Sequence, residues 1–115
     1  MITIENREHL VNAAVFGEFT LADVHDFEMA VNHHIRFEGR VNILLDLRDM
    51  ADFSVDVAWE DFKFAHHHQY DFWKIAVVTD NRWVAWTAWL SSAFVDAGIQ
   101  VFEGYEQAEA WVIAA

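Results

Sequence analysis

Two apolar runs of strand length restrict the folds open to this chain more than any other feature. Residues 41–47 read VNILLDL and residues 74–79 read KIAVVT. A run that is apolar at nearly all consecutive positions is typical of a strand covered on both faces, as in the parallel sheets of α/β proteins. A segment with helical periodicity follows each run. The pattern therefore predicts strand–helix units and parallel pairing at the centre of a sheet.

The remaining segments add further strands and helices. Strands are predicted over residues 2–5, 10–19 and 99–102. Helices are predicted over residues 21–37, 57–70 and 105–113, and over the tryptophan-rich segment that ends before Gly98. Residues 48–54, RDMADFS, are predicted to form a loop. We expect one α/β domain over residues 1–115, with a mixed, mostly parallel sheet of about five strands flanked by about four helices.

The first predicted helix has a start signal and one apolar face. Thr20 stands where an N-cap is expected, and Gly39 ends the helix. The positions predicted to pack on the sheet are Leu21, Val24, Phe27, Val31 and Ile35. The positions predicted to face water are Asp23, Asp26, His33 and Arg36.

The tryptophan-rich segment, residues 83–95, has no charged residue in a chain that is otherwise strongly acidic. Its helical spacing predicts a core-facing arc made of Trp83, Trp86, Leu90 and Phe94. Trp89 lies beside that arc with Val84 and Val95, so it needs another partner. An apolar flank of this kind suits a homodimer contact, a lipid-like ligand or a membrane interface. The simpler alternative is that the aromatic side chains only fill a core.

The helix predicted before it is also apolar on two sides. Phe62 is expected to face the sheet with Trp59 at the edge, and Phe64 points the other way. The two helices either pack on each other or leave a pocket or self-association surface between them. Our leading hypothesis is a homodimer that binds an apolar or amphipathic ligand through both helices. Its ligand-binding or interface residues are Trp83, Trp86, Trp89, Leu90, Phe94, Trp59, Phe62 and Phe64.

Charge and composition exclude several classes of partner. Lys and Arg number 7 and Asp and Glu 19, which gives a formal net charge of −12. Such a charge repels nucleic acid and anionic lipid headgroups, so we expect no nucleic-acid partner and at most a peripheral, transient membrane contact. Cysteine is absent, which excludes disulfides and thiolate catalysis. The sequence MITIENREH is unlike a secretory signal, which favours a cytoplasmic protein.

Neither the histidines nor the carboxylates form a convincing catalytic or metal site. His66, His67 and His68 are consecutive on a predicted helix and point about 100° apart, so they cannot share one ion. We expect no metal and no cofactor.

The carboxylate pairs Asp46 with Asp49 and Glu60 with Asp61 are explained by helix capping and solubility. Without a nucleophile or a phosphate-binding glycine motif, we expect no enzyme. Arg48 and Arg82 either bind an anionic group or pair with nearby aspartates.

Four segments in order carry a family resemblance: ILLDLRD, WEDFKFA, FWKIAVVTDNRW and the tryptophan-rich helix. Together they resemble the SpoIIAA-like branch of the STAS superfamily. The resemblance implies a sheet flanked by helices in a small domain that acts through binding. For the less understood group within that family, the resemblance implies binding of an apolar ligand or contact with a membrane.

The resemblance also implies an alternative, a regulatory protein-interaction module of the anti-sigma factor antagonist type. Such antagonists carry an Asp-Ser-Ser-Gly type loop whose serine is phosphorylated to release a kinase partner. Here the corresponding loop reads DFSVD, and Ser54 is its only hydroxyl residue. The loop lacks the second serine and the glycine, and nearby aspartates would repel a phosphate. Ser54 is therefore the candidate phosphorylation site of the alternative hypothesis.

Overall fold

The computed structural model describes residues 1–53, 72–80 and 98–114, except the side chains of Asp52 and Phe53. Within these residues the chain forms five strands and two helices. The strands are β1 (Ile2–Arg7), β2 (Leu10–Phe19), β3 (Val41–Phe53), β4 (Phe72–Val78) and β5 (Gly98–Phe102). The helices are α1 (Leu21–Glu38) and α2 (Tyr105–Ile113). The helices predicted over residues 57–70 and in the tryptophan-rich segment lie outside the described residues.

The strands lie in the sheet in the order in which they occur in the chain, β1-β2-β3-β4-β5. β1 pairs with β2 in the antiparallel direction, and the other three pairs are parallel. A two-residue turn, Glu8 and His9, joins β1 to β2, and His9 takes a left-handed φ of 56° in this turn. The prediction of a mixed, mostly parallel five-stranded sheet is confirmed.

Helix α1 begins with a capping box. The Thr20 hydroxyl accepts a hydrogen bond from the Asp23 N–H at 3.2 Å, and the Asp23 carboxylate accepts one from the Thr20 N–H at 3.1 Å. The prediction that Asp23 faces water is therefore wrong: its side chain turns back to the helix start and is buried. At the other end Gly39 has a φ of 85°, and its N–H donates to the Ile35 carbonyl.

The apolar side of α1 packs on one face of the sheet. Val24, Phe27 and Val31 are buried there, as predicted, against alternate side chains of β2 and β3. Leu21 departs from the prediction because 41% of its surface remains exposed. Position 21 is the first residue of the helix, where the side chain reaches past the edge of the core.

Helix α2 packs on the opposite face, where it covers a smaller apolar cluster. Ala108 and Val112 of the helix are buried against alternate side chains of three strands, namely Leu10, Leu44, Ala76 and Val78. No side chain caps its first residue. The helix therefore depends on contacts along its length and at its C-terminal end.

Asn42 and Lys74 hold the C-terminal end of α2. The β3–β4 register shifts at Asn42, where the side-chain oxygen accepts a hydrogen bond from the Lys74 N–H at 3.0 Å. The same amide donates to the Val112 carbonyl at 2.9 Å. The Lys74 ammonium donates to the carbonyls of Trp111 and Ala114, each at 3.0 Å. A cation at these carbonyls stabilises the helix because its C-terminus carries partial negative charge.

Strand β3 is longer than predicted. The expected loop at residues 48–54 is wrong for residues 48–53, which continue the strand. They pair with β2 through two register shifts, and Phe53 lies opposite Phe19 at the end of the ladder. Arg48 and Asp49 in this stretch are exposed to solvent, so their charged side chains are compatible with a strand. The described part of the strand thus reaches Phe53, the residue before Ser54 in the sequence.

Candidate functional site

Polar side chains gather where β2 and β3 meet α2 on the sheet. We call Asn12, Asp46, Arg48, Tyr105 and Glu109 the β3–α2 polar cluster. The Asn12 amide donates to the Tyr105 hydroxyl oxygen at 2.6 Å, and that hydroxyl lies 3.4 Å from a Glu109 oxygen. The alternation of β2 places Asn12 on the α2 face, and Tyr105 reaches it from the first turn of α2. The contact joins residues 93 positions apart.

Glu109 extends the cluster to the first strand. The Arg7 guanidinium lies 3.1 Å from the Glu109 carboxylate and also contacts Glu5. These two carboxylates raise the pKa of Arg7 because they accept hydrogen bonds from its guanidinium, with Glu5 having the larger effect and Glu109 the smaller. Arg7 therefore links β1 to the outer side of α2.

Asp46 and Arg48 form the charged centre of the cluster. The guanidinium donates to both carboxylate oxygens, at 3.0 and 2.8 Å, and the Arg48 N–H donates to one of them at 3.1 Å. Burial raises the pKa of Asp46, but these hydrogen bonds and the charge of Arg48 outweigh burial, so the pKa is lowered overall. Asp46 is ionised at neutral pH. Of the two roles predicted for Arg48, the structure shows pairing with an aspartate.

The exposed part of the cluster presents a cation and an aromatic ring. The Arg48 guanidinium carbon lies 5.5 Å from the centre of the Tyr105 ring, and 46% of the Arg48 side chain is exposed. Asp46 accepts hydrogen bonds from Arg48, and Tyr105 accepts one from Asn12. An ionised carboxylate held by an arginine is a poor general acid. Asp46 is therefore unsuited to donate a proton at neutral pH.

The predicted site residues lie elsewhere in the chain. Positions 54, 59, 62, 64, 83, 86, 89, 90 and 94 are all outside the described residues. The predicted ligand-binding and interface residues Trp59, Phe62, Phe64, Trp83, Trp86, Trp89, Leu90 and Phe94 therefore stay predictions, as does the phosphorylation site Ser54. Residues 66–68, the histidine triplet, are outside as well.

Sequence reasoning missed Asn12, Tyr105 and Glu109. One signal was present, because Asn12 is the only polar residue within LVNAAV, residues 10–15. A polar side chain in an otherwise apolar strand needs a hydrogen-bond partner. The sequence does not indicate which residue that partner is.

Within residues 1–53, 72–80 and 98–114, no three His, Asp or Glu side chains are grouped so as to hold a metal ion. Neither α1 nor α2 has the length and hydropathy that crossing a membrane requires.

Comparison with known proteins places this fold in a family. A protein-family model described as SpoIIAA-like matches residues 10–113 of the sequence. The chain belongs to the SpoIIAA-like family. This membership confirms the resemblance seen in the sequence and the α/β fold class expected from it. A search of curated proteins finds no match.

Solved structures share the SpoIIAA-like fold with this chain. An uncharacterized protein with a SpoIIAA-like fold from Shewanella loihica PV-4 is 19% identical with a TM-score of 0.75, over 97% of this chain and 92% of that one. An anti-sigma factor antagonist from Mycobacterium paratuberculosis is 13% identical with a TM-score of 0.63, over 99% of this chain and 96% of that one. At these identities the likeness concerns the fold alone.

Proposed function

We propose that this SpoIIAA-like protein is a non-enzymatic regulatory module that binds another protein and is switched at Ser54. The observation that carries the proposal is the family match over residues 10–113. The fold shared with an anti-sigma factor antagonist supports the same class of function. The partner is a regulatory protein, as in the alternative drawn from the sequence.

The chemistry of the β3–α2 polar cluster supports binding rather than catalysis. Asp46 is ionised and held by Arg48, and Tyr105 is hydrogen-bonded to Asn12. The exposed Arg48 beside an aromatic ring is the kind of surface that protein partners use, since arginine and tyrosine are enriched at interfaces.

The end of β3 supports Ser54 as the switch. Phe53 pairs with Phe19, and adjacent strands lie about 4.8 Å apart. Thr20, the N-cap of α1, follows Phe19 directly. Phe53, which precedes Ser54 in the sequence, therefore lies close to the N-terminus of α1, where backbone N–H groups favour negative charge. The exposed Asp49 on the same strand works in the opposite direction through like-charge repulsion.

Affinity capture from cells that express the protein tests this proposal. Wild type and Ser54→Ala are expected to retain the same protein, and Ser54→Asp is expected to lose it because aspartate imitates the phosphorylated charge. Thr3→Asp is the matched control, since it adds the same charge at an exposed hydroxyl on β1. Equal capture by all four proteins, together with unphosphorylated Ser54 in every growth phase by mass spectrometry, would reject the switch.

The apolar-ligand and homodimer hypotheses stay predictions, because the residues that carry them are outside the described part of the chain. Fatty acids and phospholipid vesicles are expected to change the tryptophan fluorescence of wild type, and Trp89→Ala is expected to blunt that change. Light scattering is expected to give a dimer for wild type and a monomer for Trp89→Glu. A wild-type monomer whose fluorescence is unchanged by every lipid would eliminate both hypotheses.

A further inference from the structure

The two outer strands of the sheet differ in charge. In the order β1-β2-β3-β4-β5 these strands are β1 and β5. β1 carries Glu5 and Arg7, which contact each other, and Arg7 also contacts Glu109 of α2. β5 reads GIQVF and has no charged residue. Charged side chains are one means by which proteins keep an edge strand from pairing with another chain. β5 therefore lacks a protection that β1 has.

The outer side of β5 carries the backbone hydrogen-bonding groups of two residues, Ile99 and Val101. The Phe102 carbonyl accepts a hydrogen bond from the Thr79 N–H at 2.8 Å, so the backbone groups of Phe102 face β4. The same holds for every second residue of β5, because the direction of these groups alternates along a strand. The N–H and C=O of Ile99 and Val101 thus point away from β4. Within the described residues, no strand pairs with this side.

Apolar side chains are partly exposed on both faces of β5. On the α2 face, the rings of Phe102 and Trp111 lie with their centres 5.7 Å apart, and neither is fully buried. The Trp111 ring also lies beside Gly98, where an added Cβ would be 3.9 Å from it. Alternation places Ile99 and Val101 on the opposite face, where 38% of Val101 is exposed. A strand added at this edge would cover apolar surface on both faces of the sheet.

The outward backbone groups determine the register in which a second copy of β5 fits. An antiparallel pair about a two-fold axis between the two copies of Gln100 places Ile99 opposite Val101 on each side of the axis. Both residues point their N–H and C=O outward, so each such pair exchanges two hydrogen bonds. Gln100 lies opposite its own copy in a non-hydrogen-bonded pair. Because β5 has no charge, this pairing brings no like charges together.

We infer that β5 is a self-association edge: two copies of the protein pair antiparallel through Gly98–Phe102 and join their sheets into one. The occupant is a second copy because the uncharged strand is compatible with itself in a chain whose net charge is −12. The contact does not involve Ser54, so affinity capture tests the proposed switch and the experiments below test this edge. The homodimer predicted from the sequence uses Trp89 instead and gives no reason for two copies of residue 100 to meet.

Gln100→Cys tests the register directly, because the wild-type chain has no cysteine. In the proposed pair the two Cα atoms of residue 100 are about 4.5 Å apart, which a disulfide can span. In a glutathione redox buffer this variant is expected to become mostly a disulfide-linked dimer on a non-reducing gel. Thr3→Cys, at an exposed position of β1, is the matched control and should stay mostly monomeric. Equal cross-linking of the two variants would overturn the inference, as would a wild-type dimer that gives no cross-link at position 100.

Val101→Pro tests the backbone hydrogen bonds. The substitution removes an N–H that points away from β4, and proline is tolerated on an edge strand at such a position. The monomer is expected to keep its circular dichroism spectrum. Each dimer loses two hydrogen bonds, one from each copy, so its dissociation constant in sedimentation velocity should rise at least about tenfold. Val101→Thr keeps the N–H and the branched side chain, and should leave the constant nearly unchanged. A proline variant that dimerises as well as wild type would contradict the pairing.

Gln100→Lys tests the axis without changing the backbone. Two ammonium groups would face each other across the axis, which weakens a strand pair. The added cation also lowers the net negative charge, which by itself would favour association. Gln100→Met is the neutral control of similar length. At about 0.15 M salt, where charges more than about 8 Å apart are largely screened, the lysine variant is expected to have the larger dissociation constant. Equal constants would overturn the inference. So would a wild type that stays monomeric at every concentration, which would leave the edge to an extended segment of another protein.

Discussion

The two faces of the sheet hold their helices in different ways. Helix α1 has 18 residues, a capping box and three large apolar side chains buried in two clusters. Helix α2 has 9 residues, no side-chain cap, and buries only Ala108 and Val112. It is held in addition by hydrogen bonds from side chains of the sheet to its C-terminal carbonyls. Apolar area dominates the attachment of α1, whereas polar contacts carry much of the attachment of α2.

Phe27→Ala is expected to have the largest effect and tests the α1 face. The side chain is buried among Val11, Val31 and Ile43, so its removal leaves a cavity. We expect a loss of about 3 to 5 kcal/mol in the free energy of unfolding, measured by urea denaturation. Phe37→Ala on the same helix, where 70% of the residue is exposed, should cost less than about 0.5 kcal/mol. If Phe27→Ala lost less free energy of unfolding than the polar variants below, apolar burial would not be the stronger of the two kinds of attachment.

Asn42→Ala tests the polar attachment of α2. The substitution leaves both the Lys74 N–H and the Val112 carbonyl without the side-chain partner they have in wild type. Each such group costs about 1 to 3 kcal/mol when partly buried, and we expect a total of about 2 to 4 kcal/mol. Asn32→Ala, at an exposed position of α1, is the control and should be nearly neutral. Equal stability of the two variants would mean that the sheet does not need Asn42 to hold α2.

Lys74→Met separates direct hydrogen bonds from the general effect of a cation near a helix end. The variant loses two bonds to α2 carbonyls and the contact of the ammonium with the Trp111 ring, 5.2 Å from its centre. We expect a loss of about 1 to 2 kcal/mol in urea denaturation. Arg36→Met removes an exposed cation from the last turn of α1 and should cost less. If both cost the same, the bonds of Lys74 add nothing beyond its charge.

The smallest expected effect concerns acid and the charged centre of the β3–α2 polar cluster. The pKa of Asp46 is lowered in the folded protein, so its contribution to stability is present above the unfolded pKa and is lost as the pH falls through the folded pKa. Asp46→Asn should therefore be less stable than wild type at neutral pH, by about 1 kcal/mol or less because Arg48 is half exposed.

Urea denaturation at neutral pH and at about pH 3 measures this difference, which should shrink on acidification. Asp49→Asn, at an exposed position three residues away, is the control. A difference that grows in acid would give the opposite sign and contradict the assignment of Asp46 as a stabilising carboxylate.

The difference between the two faces of the sheet also explains which features of the fold could be predicted from the sequence. Apolar periodicity located α1 and its buried residues Val24, Phe27 and Val31, and it located α2 over residues 105–113. The hydrophobic pattern is a local signal. It therefore predicts a helix and its buried residues correctly where the helix is held mainly by burial of apolar side chains.

Polar attachments were not predictable in the same way. Asn12 and Tyr105 are 93 positions apart, and nothing local indicates that they meet. The charged residues Arg48, Asp49 and Asp52 favour a loop over residues 48–53, yet pairing with β2 extends the strand through them. Asp23 is buried because it forms a capping box with Thr20. Helical periodicity of apolar residues alone does not reveal such a contact. The proposed switch at Ser54 depends on family membership rather than on any of these patterns.

The separation of 93 residues between Asn12 and Tyr105 also has a meaning during synthesis. At about 5 to 20 residues per second, α2 leaves the ribosome roughly 5 to 20 seconds after β2. Until α2 emerges, Leu10, Leu44 and Ala76 lack the helix that covers them in the folded protein. A nascent chain in this state exposes apolar surface that favours aggregation. The α2 face of the sheet is thus where we expect a chaperone to bind the unfinished protein.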